Sequence, residues 1–222
     1  MARGLVILGA SGNAHDILDI VDALNVQGAD WSFAGYLDDK HVIGTQLRGG
    51  TVLGDLSAAQ LFRHHFFVNA IGSERSYQLR PQHVARTGIP PDRFATLIHP
   101  LAYVSPQAQL GHGVCVGAGA VVAGNVVVGD DVWLGARSVI GHDSEIGDHC
   151  VIAPAAVVSG FVRLRPCCFV GAGAMIRGLV EVGDGALIGM GAVVLNNVDP
   201  ETTLVGNPAR VLAALAHRNG RS

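Results

Sequence analysis

The sequence predicts an α/β + β chain: a small Rossmann-like parallel sheet, then a left-handed parallel β-helix. Three observations predict it. The chain opens with an apolar run, a glycine turn and a helix-spaced run. From Ile98 onward an aliphatic residue recurs at every sixth position. Glycine supplies 30 of 222 residues, about twice the ordinary share.

The first element is the run Leu5-Val6-Ile7-Leu8, continuous as in a strand buried on both faces. Gly9-Ala10-Ser11-Gly12-Asn13 is the turn. Ile17, Leu18, Ile20, Val21 and Leu24 then follow at helical spacing. A second strand is expected over Trp31 to Leu37, stopping at Asp38-Asp39. A third is expected over Phe66 to Ile71, stopping at Gly72-Ser73, with a helix from about Ser76 to Arg86. Alternating strand and helix indicates a parallel sheet. Gly88-Ile89-Pro90-Pro91 reads as the start of a linker.

The second half follows a different rule. Steps of six from Ile98 to Val194 meet only Val, Ile or Leu, seventeen times in succession. If such residues filled a third of positions, chance would give this on the order of once in a hundred million. The residue four places after each, from Ala108 to Val198, is small or β-branched at all sixteen positions. One large and one small inward residue per hexad fits a parallel β-helix, with three hexads to a triangular coil. Seventeen hexads make between five and six coils, a prism about 25 Å tall at roughly 4.8 Å per stacked strand. The expected organisation is therefore a sheet domain over 1–88, a linker over 89–97, a β-helix over 98–199 and a tail over 200–222. The tail carries a short apolar helix around Val211 to Leu215.

Composition narrows the function classes. A net charge of −3 gives no electrostatic case for nucleic acid or an anionic membrane. The N-terminal apolar stretch is too short for a signal peptide or a membrane span. Cys115, Cys150, Cys167 and Cys168 show no C-x-x-C spacing, which reads as a reduced, cytoplasmic protein with buried thiols.

Residues 18 apart stack in successive coils, so Pro106, Gly124, His142, Gly160 and Gly178 form one column. His142 is a single imidazole between glycines, with a slot beside it. Corner glycines can also serve positive φ, which would explain part of the column without chemistry. His112 lies 30 residues earlier, not a multiple of 18, and so belongs to another corner. The spacing of His142 and His149 does not suit a zinc site built from three histidines. The Gly9-Ala10-Ser11-Gly12 turn lacks the full G-x-G-x-x-G pattern. Free amides at that helix start would still suit a diphosphate. Asp38 and Asp39 stand at a strand end, either as acceptors for a ribose or uracil or as solvated turn acids.

The layout resembles the NeuD/PglD-type bacterial sugar acetyltransferases over nearly the whole chain. The resemblance rests on Gly9-Ala10-Ser11-Gly12, Tyr36-Leu37-Asp38-Asp39, Ala70-Ile71-Gly72-Ser73, Ile140-Gly141-His142-Asp143-Ser144-Glu145-Ile146-Gly147-Asp148 and Gly206-Asn207-Pro208-Ala209-Arg210. It implies a cytoplasmic homotrimer that transfers acetyl from acetyl-CoA, without a metal, to an amino group of a nucleotide-linked deoxysugar. It implies His142 as general base, with Asp143 behind it. Imidazole titrates near neutral pH, so it can take the proton of an attacking amine, and a carboxylate behind it favours the imidazolium. Gly160 amides would steady the oxyanion. Ala172 and Met190 match the coenzyme contacts. Ser11, Gly12, Asn13, Asp38, Asp39, Gly72 and Ser73 match the nucleotide-sugar contacts, with a nucleotide sugar preferred to NAD. The family's second histidine, nine residues after the base, is here Val151. Sugar O-acetylation and a non-catalytic scaffold are the alternative readings.

Overall fold

A computed structural model describes residues 2–47 and 49–212. The N-terminal sheet has strands β1 (Arg3–Leu8), β2 (Trp31–Leu37), β3 (Gln46–Leu47), β4 (Gly50–Gly54) and β5 (Phe66–Asn69), in the order β3-β4-β2-β1-β5. All pairings are parallel except β3–β4, a hairpin. Helix α1 (Gly12–Val26) buries Ala14, Ile17, Ile20 and Val21. Helix α2 (Arg80–Thr87) follows a single 3₁₀ turn at Tyr77–Leu79, so the expected helix begins later and less regularly. The hairpin and a 3₁₀ helix over Leu56–Phe62 were not expected from the sequence.

The expected linker is packed chain. Gly88 ends α2 at φ +62°, and Ile89 is buried. Phe94 forms a bridge to Phe67 that continues the sheet beyond β5. Burial of Ile89 and Phe94 outweighs the turn-forming tendency of the prolines between them.

From Leu97 the chain winds as a left-handed β-helix with two-residue strands. Pairing such as Val121↔Val139 and Val139↔Val157 gives a register of 18 residues per coil. The large and small columns both point inward and form one continuous core from Val114 to Leu204. The corner residue at every sixth position from Gly113 to Gly191 has positive φ, including Asn125, Asp143, Phe161 and Leu179. Arg210–Val211 is a strand paired antiparallel to Thr203–Val205. This replaces the beginning of the expected tail helix, whose remainder lies outside the described residues.

The three faces of the prism differ in their outward residues. One face presents Leu97, Cys115, Trp133, Val151, Phe169 and Leu187, which share a core with α1 and β1. This covered face joins the two halves of the chain. A second face presents Gln109, Val127, Glu145, Arg163 and Glu181. It carries exposed ion pairs, including Arg163–Glu145 at 3.6 Å. The third presents Tyr103, Val121, Val139, Val157, Met175 and Val193. It is apolar from bottom to top, yet nothing among the described residues covers it; Tyr103 and Met175 are more than half exposed.

Candidate active site

His142 and Asp143 occupy the corner between the open apolar face and the charged face. His142 Nδ1 lies 2.7 Å from Asp143 Oδ2. Asp143 has φ +57°, which Asp tolerates better than most residues. The hydrogen bond to His142, then one from Asn125 one coil below, hold its carboxyl under the ordinary carboxylate value. Nδ1 is therefore committed to the carboxylate, and Nε2 is left for a reacting group.

Gly160 stacks on this pair. A Cβ at Gly160 would stand 3.0 Å from both Cε1 and Nε2 of the imidazole. This corrects the conformational explanation of the glycine column. Positive φ falls one residue later, in the Asp143 column, and neither Gly124, Gly160 nor Gly178 adopts it. Gly160 is required by space, because any side chain would displace the imidazole. The Phe161 ring meets the imidazole edge to face, with centroids 5.1 Å apart.

The second group of expected residues gathers at the C-terminal edge of the N-terminal sheet. Ser11, Gly12 and Asn13 follow β1, Asp38 and Asp39 follow β2, and Gly72 and Ser73 follow β5. Helices leave β1 in one direction while β5 lies on its other side, so the edge is a topological switch point where ligands of open parallel sheets bind. Ser11 precedes α1 without a side-chain cap, and nothing stands within 4 Å of a Cβ at Gly12. The helix start is open, as anion binding requires. Asn13 Nδ2 donates to the Ala70 carbonyl at 3.1 Å, spanning the switch point.

Asp38 is not a solvated turn acid, and Asp39, though exposed, is not a free acceptor. Asp38 is buried and accepts from Ala10 N at 2.8 Å, Lys40 N at 2.8 Å, and both the backbone and ring of His41. Burial pushes its carboxyl up, but those bonds outweigh burial and hold it below the ordinary value. Asp39 accepts from Leu56 N and pairs with Arg86 at 2.6 Å. Both side chains thus shape the rim, with β2 tied to the glycine turn by Asp38.

A buried polar group supports the Gly72-Ser73 loop, and no sequence signal pointed to it. Arg80 is 1% exposed. Its Nη2 donates to Asp131 Oδ1 at 2.6 Å and to the Asp131 carbonyl at 2.7 Å, while Nη1 donates to the Ile71 carbonyl. Asp131 Oδ2 also faces Asn69 Nδ2 at 3.1 Å and His149 Nδ1 at 2.9 Å. His149 is therefore part of this junction. Val151 is buried on the covered face, its Cγ2 3.1 Å from a Cβ at Gly72. His112 lies on the corner beside His149, away from His142, and its amide donates to Asp130.

Ala172 and Met190 stack on the corner between the covered and open faces, one face away from His142. Beside them, Gly173 and Gly191 have nothing within 4 Å of a built Cβ. Lower on this corner a cavity of about 360 Å³ lies between α1 and the prism, lined by Asp16, Asp19, Trp133, Ala136 and Pro154. Among the described residues no helix is long and apolar enough to cross a membrane, and no cluster of three metal-ligating side chains occurs.

A β-helix of hexads with an exposed His–Asp pair against a glycine defines the class of hexapeptide-repeat acyltransferases. Residues 125–160 match the bacterial transferase hexapeptide family (six repeats), and residues 4–81 match the PglD N-terminal domain. The structure resembles PerB from Caulobacter crescentus in complex with CoA and GDP-perosamine, with a TM-score of 0.83 and 27% identity over 96% of this chain and 99% of that one. It also resembles the acetyltransferase domain of PglB from Neisseria gonorrhoeae FA1090 in complex with acetyl coenzyme A, with a TM-score of 0.81 and 28% identity over 96% and 100% of the two chains. A UDP-N-acetylbacillosamine N-acetyltransferase of Bacillus subtilis (strain 168) is 29% identical over 119 residues, 52% of each chain. That match spans about half the length of the curated relative. In sequence and fold the chain is similar to sugar acetyltransferases that join a PglD-type N-terminal domain to hexapeptide repeats.

Proposed function

We propose that the protein moves the acetyl group of acetyl-CoA to an amino group of a nucleotide-linked amino-deoxy sugar, in the cytoplasm, as a homotrimer. The observation that carries this reading is the His142–Asp143 pair, held at 2.7 Å with Nε2 facing the space kept by Gly160.

Each group has a place in the reaction. The diphosphate lies on the open start of α1 at Ser11, Gly12 and Asn13, and Asp38, Asp39, Gly72 and Ser73 shape the rim. The pantetheine arm lies along Ala172 and Met190, where Gly173 and Gly191 leave room. Nε2 of His142 takes a proton from the sugar amine as its lone pair attacks the thioester carbonyl. The Gly160 amide faces the developing oxyanion. The C–S bond then breaks, and the sulfur leaves with the proton from the imidazolium. No residue is acylated. Functionally, 1–88 holds the nucleotide sugar and 98–199 carries the transfer chemistry.

The faces give the reason for a trimer. The sugar edge packs on the covered face, whereas His142 lies at the opposite end of the open apolar face. Packing open face against open face around a three-fold axis buries the apolar column. It also sets the His142 corner of one chain against the Ala172 corner of the next. The charged face remains in water.

The test measures thiol release from acetyl-CoA with a panel of UDP-, GDP- and dTDP-linked amino sugars and hydroxyl counterparts. The reading expects turnover with an amino sugar and none with its hydroxyl counterpart. Turnover on hydroxyls alone would establish O-acetylation, and no turnover would favour a scaffold.

A further inference from the structure

Phe161 has no role in the chemistry outlined above, yet it touches the base. Its ring stands edge to face with the His142 imidazole at 5.1 Å, and its amide donates to the His142 carbonyl at 3.0 Å. The fold does not call for a phenylalanine here. The same position in other hexads carries Asn125 and Asp143 on this corner and Ala155 on the next, all with φ between +57° and +59°. Phe161 points away from the core and is 51% exposed. Leu179, one coil higher in the same column, is 78% exposed. An aromatic ring beside the base and a leucine one coil above that ring thus make an apolar wall.

We propose that Phe161, with Leu179 above it, is a specificity-determining contact for the acceptor sugar. It reads the methyl group of a 6-deoxy sugar and disfavours a 6-hydroxyl. This rests on the acetyl-transfer reading. The amine nitrogen must come within hydrogen-bond reach of Nε2. In a 4-amino hexose, C6 is only three bonds from that nitrogen, so it lies against whatever flanks the base. A methyl group loses water favourably against a phenyl ring. A hydroxyl there would be desolvated without a partner.

The test compares UDP- and GDP-linked 4-amino-4,6-dideoxyhexoses with the corresponding 6-hydroxy 4-amino sugars, using acetyl-CoA. Wild type should prefer the deoxy acceptor by about 10-fold or more in kcat/KM. Phe161→Ala and Phe161→Asn should fold, because Ala155 and Asn125 already occupy equivalent corners. They should bring the ratio close to unity, mainly through the deoxy acceptor, while KM for acetyl-CoA stays unchanged. Phe161→Tyr should retain the preference. A ratio unchanged in Phe161→Ala overturns the proposal, and so does a shift in acetyl-CoA against butyryl-CoA preference with the acceptor ratio intact. If wild type acetylates both acceptors equally, this proposal fails and acetyl transfer stands. If wild type acetylates neither, and no other sugar of the panel, both fall.

Discussion

Arg80 and Asp131 form an ion pair, with side chains 2% and 5% exposed, that bolts the N-terminal sheet to the β-helix. The same guanidinium holds the Ile71 carbonyl beside Gly72, so one side chain sets both the junction and the Gly72-Ser73 loop. Removing Arg80 would leave a buried carboxylate with only Asn69 and His149 as side-chain partners. Arg80→Met should destabilise the protein by about 3–5 kcal/mol, seen as a lower denaturation midpoint. Nucleotide-sugar KM should rise more than acetyl-CoA KM. An unchanged midpoint would remove the junction from the account.

Asp38 predicts a dependence on pH. Its carboxyl is held below the ordinary value of 3.8 in the folded protein. A depressed folded value gives stability that is present above the unfolded value and lost as pH falls through the folded one. Asp38→Asn should therefore cost about 1–3 kcal/mol at neutral pH, and the difference should shrink below pH 3.8. Urea titrations of both proteins at several pH values test this; a constant difference would contradict it.

Gly160→Ala isolates geometry from folding. The added methyl meets Cε1 and Nε2 of His142 at 3.0 Å, and Gly160 has no positive φ to strain. The imidazole must shift by a few tenths of an ångström or more. We expect kcat to fall about 10–100-fold, with circular dichroism unchanged.

The cysteines give a chemical map of the core. Burial pushes the Cys115 thiol up to about 12 and the Cys150 thiol well above its ordinary value. Cys168 is buried as well, and Cys167 is partly exposed. A thiol-labelling reagent should reach Cys167 alone in the native protein, slowly because burial also raises that thiol. Rapid native labelling at Cys115 would mean that the junction opens.

Much of the β-helix was legible because its geometry maps one-to-one onto the chain. Each hexad is a strand and a corner, so the Ile98–Val194 column and its small partners could be read directly. His142 stood out for the same reason. The faces carry more than the period shows: Val151 and Val157 are alike in sequence, but one is buried in the core shared with the N-terminal sheet and the other is only half-buried. The β3–β4 hairpin was missed because two-residue Gln46–Leu47 and glycine-flanked Gly50–Gly54 have no apolar alternation. Arg80 was missed because an arginine at a helix start reads as surface, and its partner lies 51 residues away. Asp38 and Asp39 were found as residues, but their hydrogen bonds to Ala10, Leu56 and Arg86 depend on the fold.

The central claim is that His142 removes the proton from the acceptor amine. The most direct measurement is acetyl transfer by His142→Ala, at saturating acetyl-CoA and with the amino-sugar nucleotide that wild type turns over best. The account predicts a fall of about 10²–10⁴-fold in kcat, with coenzyme binding and the fold preserved. Mixing His142→Ala chains with inactive Gly12→Trp chains, whose new side chain has open space around its Cβ, should restore part of the activity, because in the proposed trimer the base and the sugar edge come from different chains. Wild-type turnover by His142→Ala would contradict the claim.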